Sequence, residues 1–216
     1  MPFTRRSILS VVALRAVAVV PLRGVAVVAA SSLVPASARA ADIASQGERA
    51  IGDPAAKVQV VEFFSLTCTH CAAFANTTFP KVKAELIDTG KIRFIYHDFP
   101  LDQLALTAAM IARTLPAERY EPFVRALLAS QDRWAFNRQA NPTEELWKTA
   151  ALAGMARTTF DAAIADTVLK NWIVAQQTAD QTKYKIDSTP SFVINGKKAN
   201  GALSFEDFVK LVSEAP

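Results

Sequence analysis

The sequence predicts an α/β fold in which a strand–helix–strand unit is interrupted by a long helical insertion and completed by later strands. A β-branched and aromatic run at 57–64 precedes a helical pattern that begins at Cys68, and a second such run covers 91–96. Strand character is then missing until 191–194. We therefore expect an inserted helical subdomain at about 102–183.

Shorter signals punctuate this plan. Pro80 predicts a kink or break in the first helix, because proline lacks an N–H donor. The Asn195-Gly196 pair is typical of a tight hairpin turn. Ser204, followed three residues later by an acid, resembles a capping box and predicts a last helix. Within the insertion, Asn141-Pro142 followed by two glutamates favours a helix start.

The first forty residues have the composition of an export signal. They contain five arginines and no acid, an apolar middle, and a small-x-small sequence, Ala38-Arg39-Ala40. Outside this segment, 19 of the 24 basic residues remain against 20 acidic residues, so the formal charge of +4 reflects the leader. We expect residues 1–40 to be a signal peptide cleaved after Ala40, and 41–216 to be one exported domain in the periplasm.

The route and fate of the leader have alternatives. Its paired arginines, Arg5-Arg6, fit the twin-arginine route as well as the general one. A membrane anchor fits less well, because Arg15 and Arg23 interrupt the apolar stretch. The longest charge-free run, 24–38, is also shorter than the roughly 18–20 residues of a membrane span. The nearly neutral remainder does not indicate a nucleic-acid partner.

The chain has two cysteines, Cys68 and Cys71, in a Cys-Thr-His-Cys sequence. A crosslink that closes so short a loop restrains the unfolded chain little, so a purely structural disulfide is disfavoured. A closed zinc site usually takes four Cys or His ligands. The two histidines here are His70, which lies between the cysteines, and His97, to which we assign no role. The pair therefore indicates redox chemistry without a metal or other cofactor.

Helix position predicts different roles for the two thiols. A thiol in the first turn of a helix faces unpaired N–H groups and the positive end of the helix dipole, which favour the thiolate. His70 can add a hydrogen bond or a positive charge beside the same sulfur. We predict that Cys68 is the nucleophile and that Cys71, one turn further on, is the resolving thiol. Glu62 has two interpretations: an acid beneath the pair, or a strand-edge acid without a catalytic role.

The run 62–71, the helical insertion and the later run 188–192, Ser-Thr-Pro-Ser-Phe, together resemble the DsbA family of bacterial periplasmic oxidases. The likeness covers about residues 43–214. It implies a thioredoxin-like fold, an exposed first cysteine of low pKa, a buried second cysteine and a cis proline facing them, which is Pro190. It also implies that the backbone of Thr189 pairs with an extended substrate and that its side chain hydrogen-bonds near the sulfur.

Two positions depart from the best-known members of that family. Their spacer is Pro-His, whereas Thr69-His70 stands here, so the histidine of the strong oxidants is retained. Those members also carry a glutamate four residues after the second cysteine, whereas Ala75 stands here. Aromatic residues of the insertion fill its core or line an apolar groove for unfolded substrates; these are Trp134, Phe136, Trp147 and Trp172.

The resemblance implies an oxidase that donates its disulfide to unfolded or reduced exported proteins and is reoxidised by a membrane protein of the DsbB type. We expect it to be a monomer. A reductase or isomerase and a non-catalytic periplasmic holdase remain alternatives. Isomerases of the DsbC type carry an N-terminal dimerisation domain, and only 41–56 precedes the first predicted strand here, which favours the oxidase.

Overall fold

A single sheet organises the structure, a computed structural model that describes residues 44–215. The leader and its predicted cleavage site lie outside the described residues. The strands are β1 (Arg49–Ile51), β2 (Val58–Phe64), β3 (Ile92–Asp98), β4 (Ser191–Ile194) and β5 (Lys197–Asn200). They lie in the order β1-β3-β2-β4-β5, so β2 is interior. The parallel pairing of β2 with β3 is the pairing that the strand–helix–strand unit predicts.

The first helix, α1, covers 69–87 and alternates between two helical forms. Thr69–Ala73 and Phe79–Val82 are α-helical, whereas Phe74–Thr78 and Lys83–Ile87 are π-helical. Pro80 stands at the start of the second α-helical segment. The π-helical turn ahead of Pro80 accommodates the missing N–H donor of proline. The predicted break is therefore a π-type bulge within a continuing helix.

Six helices occupy residues 103–184 and form the insertion. They are α2 (Gln103–Thr114), α3 (Ala117–Leu128), α4 (Gln131–Trp134), α5 (Pro142–Leu152), α6 (Arg157–Ala165) and α7 (Thr167–Tyr184), and α8 (Phe205–Ser213) follows the sheet. The α/β fold with an inserted helical subdomain is confirmed. Asn141 caps α5 as predicted, because its Oδ1 accepts from the N–H groups of Thr143 and Glu144.

The predicted turn and cap after the insertion are also present. Asn195 and Gly196 have φ values of 41° and 86°, the left-handed conformation that a two-residue hairpin needs. Ser204 Oγ accepts from the N–H of Asp207 and caps α8. Local sequence therefore specifies how the chain enters and leaves the last strands.

Buried polar contacts join the insertion to the sheet. Asp98, at the end of β3, accepts from Arg113 Nε of α2 and from the Tyr120 hydroxyl of α3 at 2.9 Å. His97 lies within β3, and its Nδ1 is 2.7 Å from Oδ2 of Asp180 in α7. The carboxyl end of β3 is thereby fixed next to the β2–α1 junction that carries the cysteines.

Candidate redox site

Cys68 is the residue that caps the N-terminus of α1. Its backbone is extended, with φ −81° and ψ 119°, and its own N–H donates to Ser65 O at 3.1 Å. Its Sγ accepts from the N–H of Cys71 at 3.4 Å. The sulfur therefore occupies the place where a capping oxygen usually meets the unpaired N–H groups of a helix.

This position lowers the pKa of Cys68 to about 5. The hydrogen bond with the Cys71 side chain lowers it most, and burial opposes that effect. The backbone N–H groups of Cys71 and His70 lower it further. At neutral pH the reduced form therefore carries a Cys68 thiolate, the reactive species in thiol–disulfide exchange.

The second thiol has the opposite character. Cys71 is fully buried, and burial raises its pKa well above the ordinary value, as do the hydrogen bond with Cys68 and the charge of Glu62. Cys68 is less exposed than the resemblance implies: 8% of its surface is accessible, because its sulfur rests against the Thr189 carbonyl. The first cysteine, which the resemblance implies to be exposed, is therefore nearly buried.

His70 acts on Cys68 in a different way from the one predicted. Its side chain is exposed, and within the described part of the chain no hydrogen bond or ion pair of its imidazole is found. It is the backbone N–H of His70 that lowers the pKa of Cys68. The predicted hydrogen bond of the imidazole with the Cys68 sulfur is thus absent from the described residues, and an effect of the imidazole through its charge stays a prediction.

Glu62 lies beneath the cysteine pair. It is 4% exposed in the interior strand β2, so the interpretation as a strand-edge acid is wrong. Burial raises its pKa to about 8, and the charge of Cys68 adds to the effect. Glu62 also raises the pKa of Cys71. Ala75, where the best-known relatives carry a glutamate, is buried in the π-helical part of α1.

Thr189 and Pro190 face the pair from the far end of the sequence. The peptide bond between them is cis, as the resemblance implies. The Cys68 thiol donates to Thr189 O at 3.3 Å, which places Pro190 beside the nucleophile although 121 residues separate the bonded pair. Thr189 Oγ1 is buried without a hydrogen-bond partner in this dithiol form. The predicted segments 62–71 and 188–192 thus meet at one site.

Sequence reasoning missed two residues of the insertion that contact this site. Thr67 Oγ1 donates to Asp102 Oδ2 at 2.6 Å. Gln131 Nε2 donates to the carbonyls of Leu66 and Cys68. Both partners lie more than thirty residues along the chain, and the only local signal was that Asp102 precedes the helical pattern of α2, for which it is the N-cap.

The geometry offers no obvious place for a metal. Among the described residues, no cluster of three or more His, Cys, Asp or Glu side chains is arranged to hold an ion. Within the same residues, no helix has the length and apolar character needed to cross a membrane.

A two-cysteine helix cap below a cis-proline loop defines a thioredoxin-like thiol:disulfide exchange site, and comparison with known proteins agrees. The family profile described as "Thioredoxin" matches residues 44–214. The solved structure of Wolbachia pipientis alpha-DsbA1 superposes with a TM-score of 0.73 at 31% identity, covering 78% of this chain and 90% of that one. The chain therefore belongs to the DsbA family of thioredoxin-like proteins.

Curated relatives agree with this assignment. A Rickettsia prowazekii protein, provisionally named as a protein-disulfide oxidoreductase, is 30% identical over 76% of this chain and 60% of its own length. Disulfide bond formation protein D of Bacillus subtilis is 24% identical over 78% of this chain and 77% of its own length. The chain spans about three fifths of the length of the rickettsial relatives that it matches.

Proposed function

We propose that this protein is an exported thiol:disulfide oxidoreductase that donates the Cys68–Cys71 disulfide to other exported proteins. The observation that carries the proposal is the capped sulfur of Cys68, with a pKa of about 5, beside the buried thiol of Cys71. A stabilised Cys68 thiolate favours the reduced pair, which makes the disulfide a stronger oxidant.

The reaction consists of two exchanges. A substrate thiolate attacks Cys68 Sγ of the disulfide, a mixed disulfide forms, and Cys71 leaves as a thiolate that takes up a proton. A second substrate thiolate then attacks the substrate sulfur and releases the Cys68 thiolate. The substrate dithiol is oxidised to a disulfide, and the Cys68–Cys71 pair takes up the two electrons. Cys68 is a good leaving group in the second step because of its low pKa.

Glu62 supplies the proton in the first exchange. The pKa of Cys71 is raised well above its ordinary value, so the Cys71 thiolate that leaves the disulfide takes up a proton at neutral pH. Glu62 is buried next to the pair with a pKa of about 8, so it is protonated when the disulfide opens. A carboxyl of this pKa exchanges protons near neutral pH in both directions.

The surface around Cys68 suits an unfolded chain. Two exposed apolar side chains adjoin segments that contact the Cys68 loop: Leu101 is 56% exposed and its N–H donates to Ser65 Oγ, and Phe136, 50% exposed, comes just after α4 in the chain. The Thr189 carbonyl, which accepts from the Cys68 thiol here, is free to accept from a substrate N–H once the disulfide forms. Apolar contact and backbone pairing both bind substrates without demanding a particular sequence.

The leader and the family resemblance support the remaining parts of the proposal. Residues 1–40 have the composition of a cleaved export signal, and we place the mature protein in the periplasm as a monomer. Reoxidation of the pair requires an electron acceptor, which a membrane protein of the DsbB type provides in this family. Disulfides formed in that compartment persist.

The equilibrium reduction potential of the Cys68–Cys71 pair against glutathione tests the function. We expect a value closer to about −120 mV than to the roughly −270 mV of thioredoxin. The oxidised protein should also form disulfides in a reduced, unfolded test protein. The Cys68→Ser variant should be inactive, and the Cys71→Ser variant should accumulate mixed disulfides.

Other outcomes identify the alternatives. A potential near −270 mV would assign the protein to the reductases. Loss of exchange in a Cys68→Ser/Cys71→Ser double variant that still suppresses aggregation of an unfolded protein would reveal holdase activity in addition. If alkylation of Cys68 rises only near pH 8.5, the value of an ordinary thiol, the activated nucleophile and the proposed function both fail.

A further inference from the structure

The insertion holds the loop that carries the nucleophile at several points. The N–H of Leu101 donates to Ser65 Oγ at 3.3 Å, and Thr67 Oγ1 donates to Asp102 Oδ2 at 2.6 Å. These contacts fix the start of the loop 65–68 to the start of the insertion. They do not involve the carbonyl groups of Leu66 and Cys68, the residues on either side of Thr67.

The partner of these two carbonyls is Gln131 in α4. Its Nε2 donates to Leu66 O at 2.7 Å and to Cys68 O at 3.0 Å. The side chain is 6% exposed, so these hydrogen bonds are shielded from water. One amide group therefore uses both of its hydrogens to hold the two carbonyls that flank Thr67.

The carbonyl of Cys68 is also the first acceptor of α1, because Ala72 N donates to it at 3.1 Å. Gln131 thus hydrogen-bonds the first turn of the helix at Cys68, the residue that bears the sulfur. On the opposite side, the same sulfur contacts Thr189 O at 3.3 Å. The nucleophile lies between the insertion and the cis-proline loop, and its position depends on both.

We propose that Gln131 is a positioning residue for disulfide exchange, holding the 66–68 backbone so that the Cys68 sulfur stays aligned with the helix N-terminus and with Thr189. This inference rests on the proposed function and assigns a second role to the helical insertion, which tunes the nucleophile in addition to flanking it.

The arrangement makes the sulfur sensitive to small displacements of the loop. Hydrogen bonding with the Cys71 side chain contributes most to the low pKa of Cys68, and the bond from Cys71 N to Cys68 Sγ, 3.4 Å long, also lowers it. The donor end of the Gln131 amide also adds positive partial charge next to Cys68. Loss of Gln131 therefore weakens the thiolate both by releasing the loop and by removing that partial charge.

Two variants test the proposal. Gln131→Leu removes both donors, and Gln131→Glu keeps the shape of the side chain but removes the N–H donors. The readout is the pH dependence of Cys68 alkylation and of thiolate absorbance in the reduced protein. We expect the midpoint to rise by about one pH unit in Gln131→Leu, which means alkylation about tenfold slower below the midpoint. Gln131→Glu should shift it in the same direction.

Gln177→Leu is the matched control. Gln177 Nε2 also donates to a backbone carbonyl, Pro100 O at 3.1 Å, from the insertion, but it does not contact the loop 65–68. It should lower the melting temperature without moving the midpoint. If the Gln131 variants lose stability like this control and keep the wild-type midpoint, Gln131 is merely structural and the inference is overturned.

The two failures are distinguishable. If the wild-type protein does not exchange disulfides, the proposed function fails whatever the variants do. If the wild-type protein exchanges disulfides and both Gln131 variants keep its midpoint and its exchange rate, the inference alone fails. A raised midpoint in either folded variant, with no change in Gln177→Leu, supports it.

Discussion

The sulfurs of Cys68 and Cys71 have opposite electrostatic surroundings although they are one helical turn apart. Cys68 Sγ lies at the helix end, where hydrogen bonding with the Cys71 side chain, and to a smaller extent with backbone N–H groups, lowers its pKa to about 5. Cys71 is fully buried above Glu62, and its pKa is raised well above the ordinary value. This contrast supports the proposal that a mixed disulfide forms at Cys68 and that Cys71 resolves it.

Replacing the buried acid should alter the pH dependence of stability. The pKa of Glu62 in the folded state is raised by burial from its ordinary value of 4.5 to about 8, so folding favours the protonated form. That stabilisation is complete below about pH 4.5 and is lost as the pH rises through about 8. The Glu62→Gln variant, which cannot ionise, should therefore become progressively more stable than the wild type over this window, by at most about 1.4 kcal/mol per pH unit.

Chemical unfolding of the reduced proteins between pH 4 and pH 9 measures this difference. The matched control is Glu85→Gln, because Glu85 is exposed on α1, and it should follow the wild type at every pH. A Glu62→Gln stability that runs parallel to the wild type across the range would show that Glu62 ionises normally and does not serve as the proton donor to Cys71.

At the level of elements, the hairpin between β4 and β5 sets the position of the cis-proline loop. The N–H of Gly201, just after β5, donates to Pro190 O at 2.8 Å. Ser191 Oγ bonds both Ser188 O and Asn200 Oδ1, so the strand that follows the loop is tied across the hairpin. The hairpin therefore holds Thr189 against Cys68.

Gly196→Ala should destabilise the protein by about 1 kcal/mol through the backbone alone. The φ of Gly196 is +86°, and an added Cβ would have no heavy atom within 4 Å, so the cost is conformational and not a clash. Thermal unfolding measures the effect. Lys197→Ala, at the next position, is exposed and in the strand and should change stability much less. Equal stabilities for the two variants would contradict a left-handed turn here.

For the whole molecule, the insertion and the sheet are joined by buried charge. Arg113 is 5% exposed, and its Nε bonds Asp98 while Nη1 reaches the carbonyls of Ser45 and Gly47. The charge of Asp98 raises the pKa of Arg113 against the effect of burial. The guanidinium group of Arg113, in the insertion, thus contacts both the sheet and the segment before β1.

Asp98→Ala should cost about 3–5 kcal/mol of unfolding free energy, because it leaves the Arg113 charge buried without its partner and removes the acceptor of Tyr120. Denaturant unfolding measures this cost. The control Asp161→Ala removes the exposed ion pair with Arg157 and should cost much less, because solvent screens a surface ion pair. A cost for Asp98→Ala no larger than that of Asp161→Ala would show that this cluster does not hold the insertion to the sheet.

The sequence by itself determined the features whose cause lies in neighbouring residues. The strand–helix junction at Cys68, the helical insertion, the Asn195-Gly196 turn and the Ser204 cap all follow from propensity and hydrogen bonding over a few residues. The spacing of the two cysteines was enough to predict redox chemistry, because two thiols one helical turn apart can exchange a disulfide.

The tertiary structure alone decided what depends on distant segments. The three-residue β1 has no pattern of its own and exists through its pairing with β3. Glu62 is buried because β2 is an interior strand. The hydrogen bond from Gln131 to Cys68 O joins residues that are 63 positions apart. Local patterns specify the elements and the helix-end position that favours the Cys68 thiolate, whereas the raised pKa of Glu62 and the contacts of Gln131 depend on segments that only folding brings together.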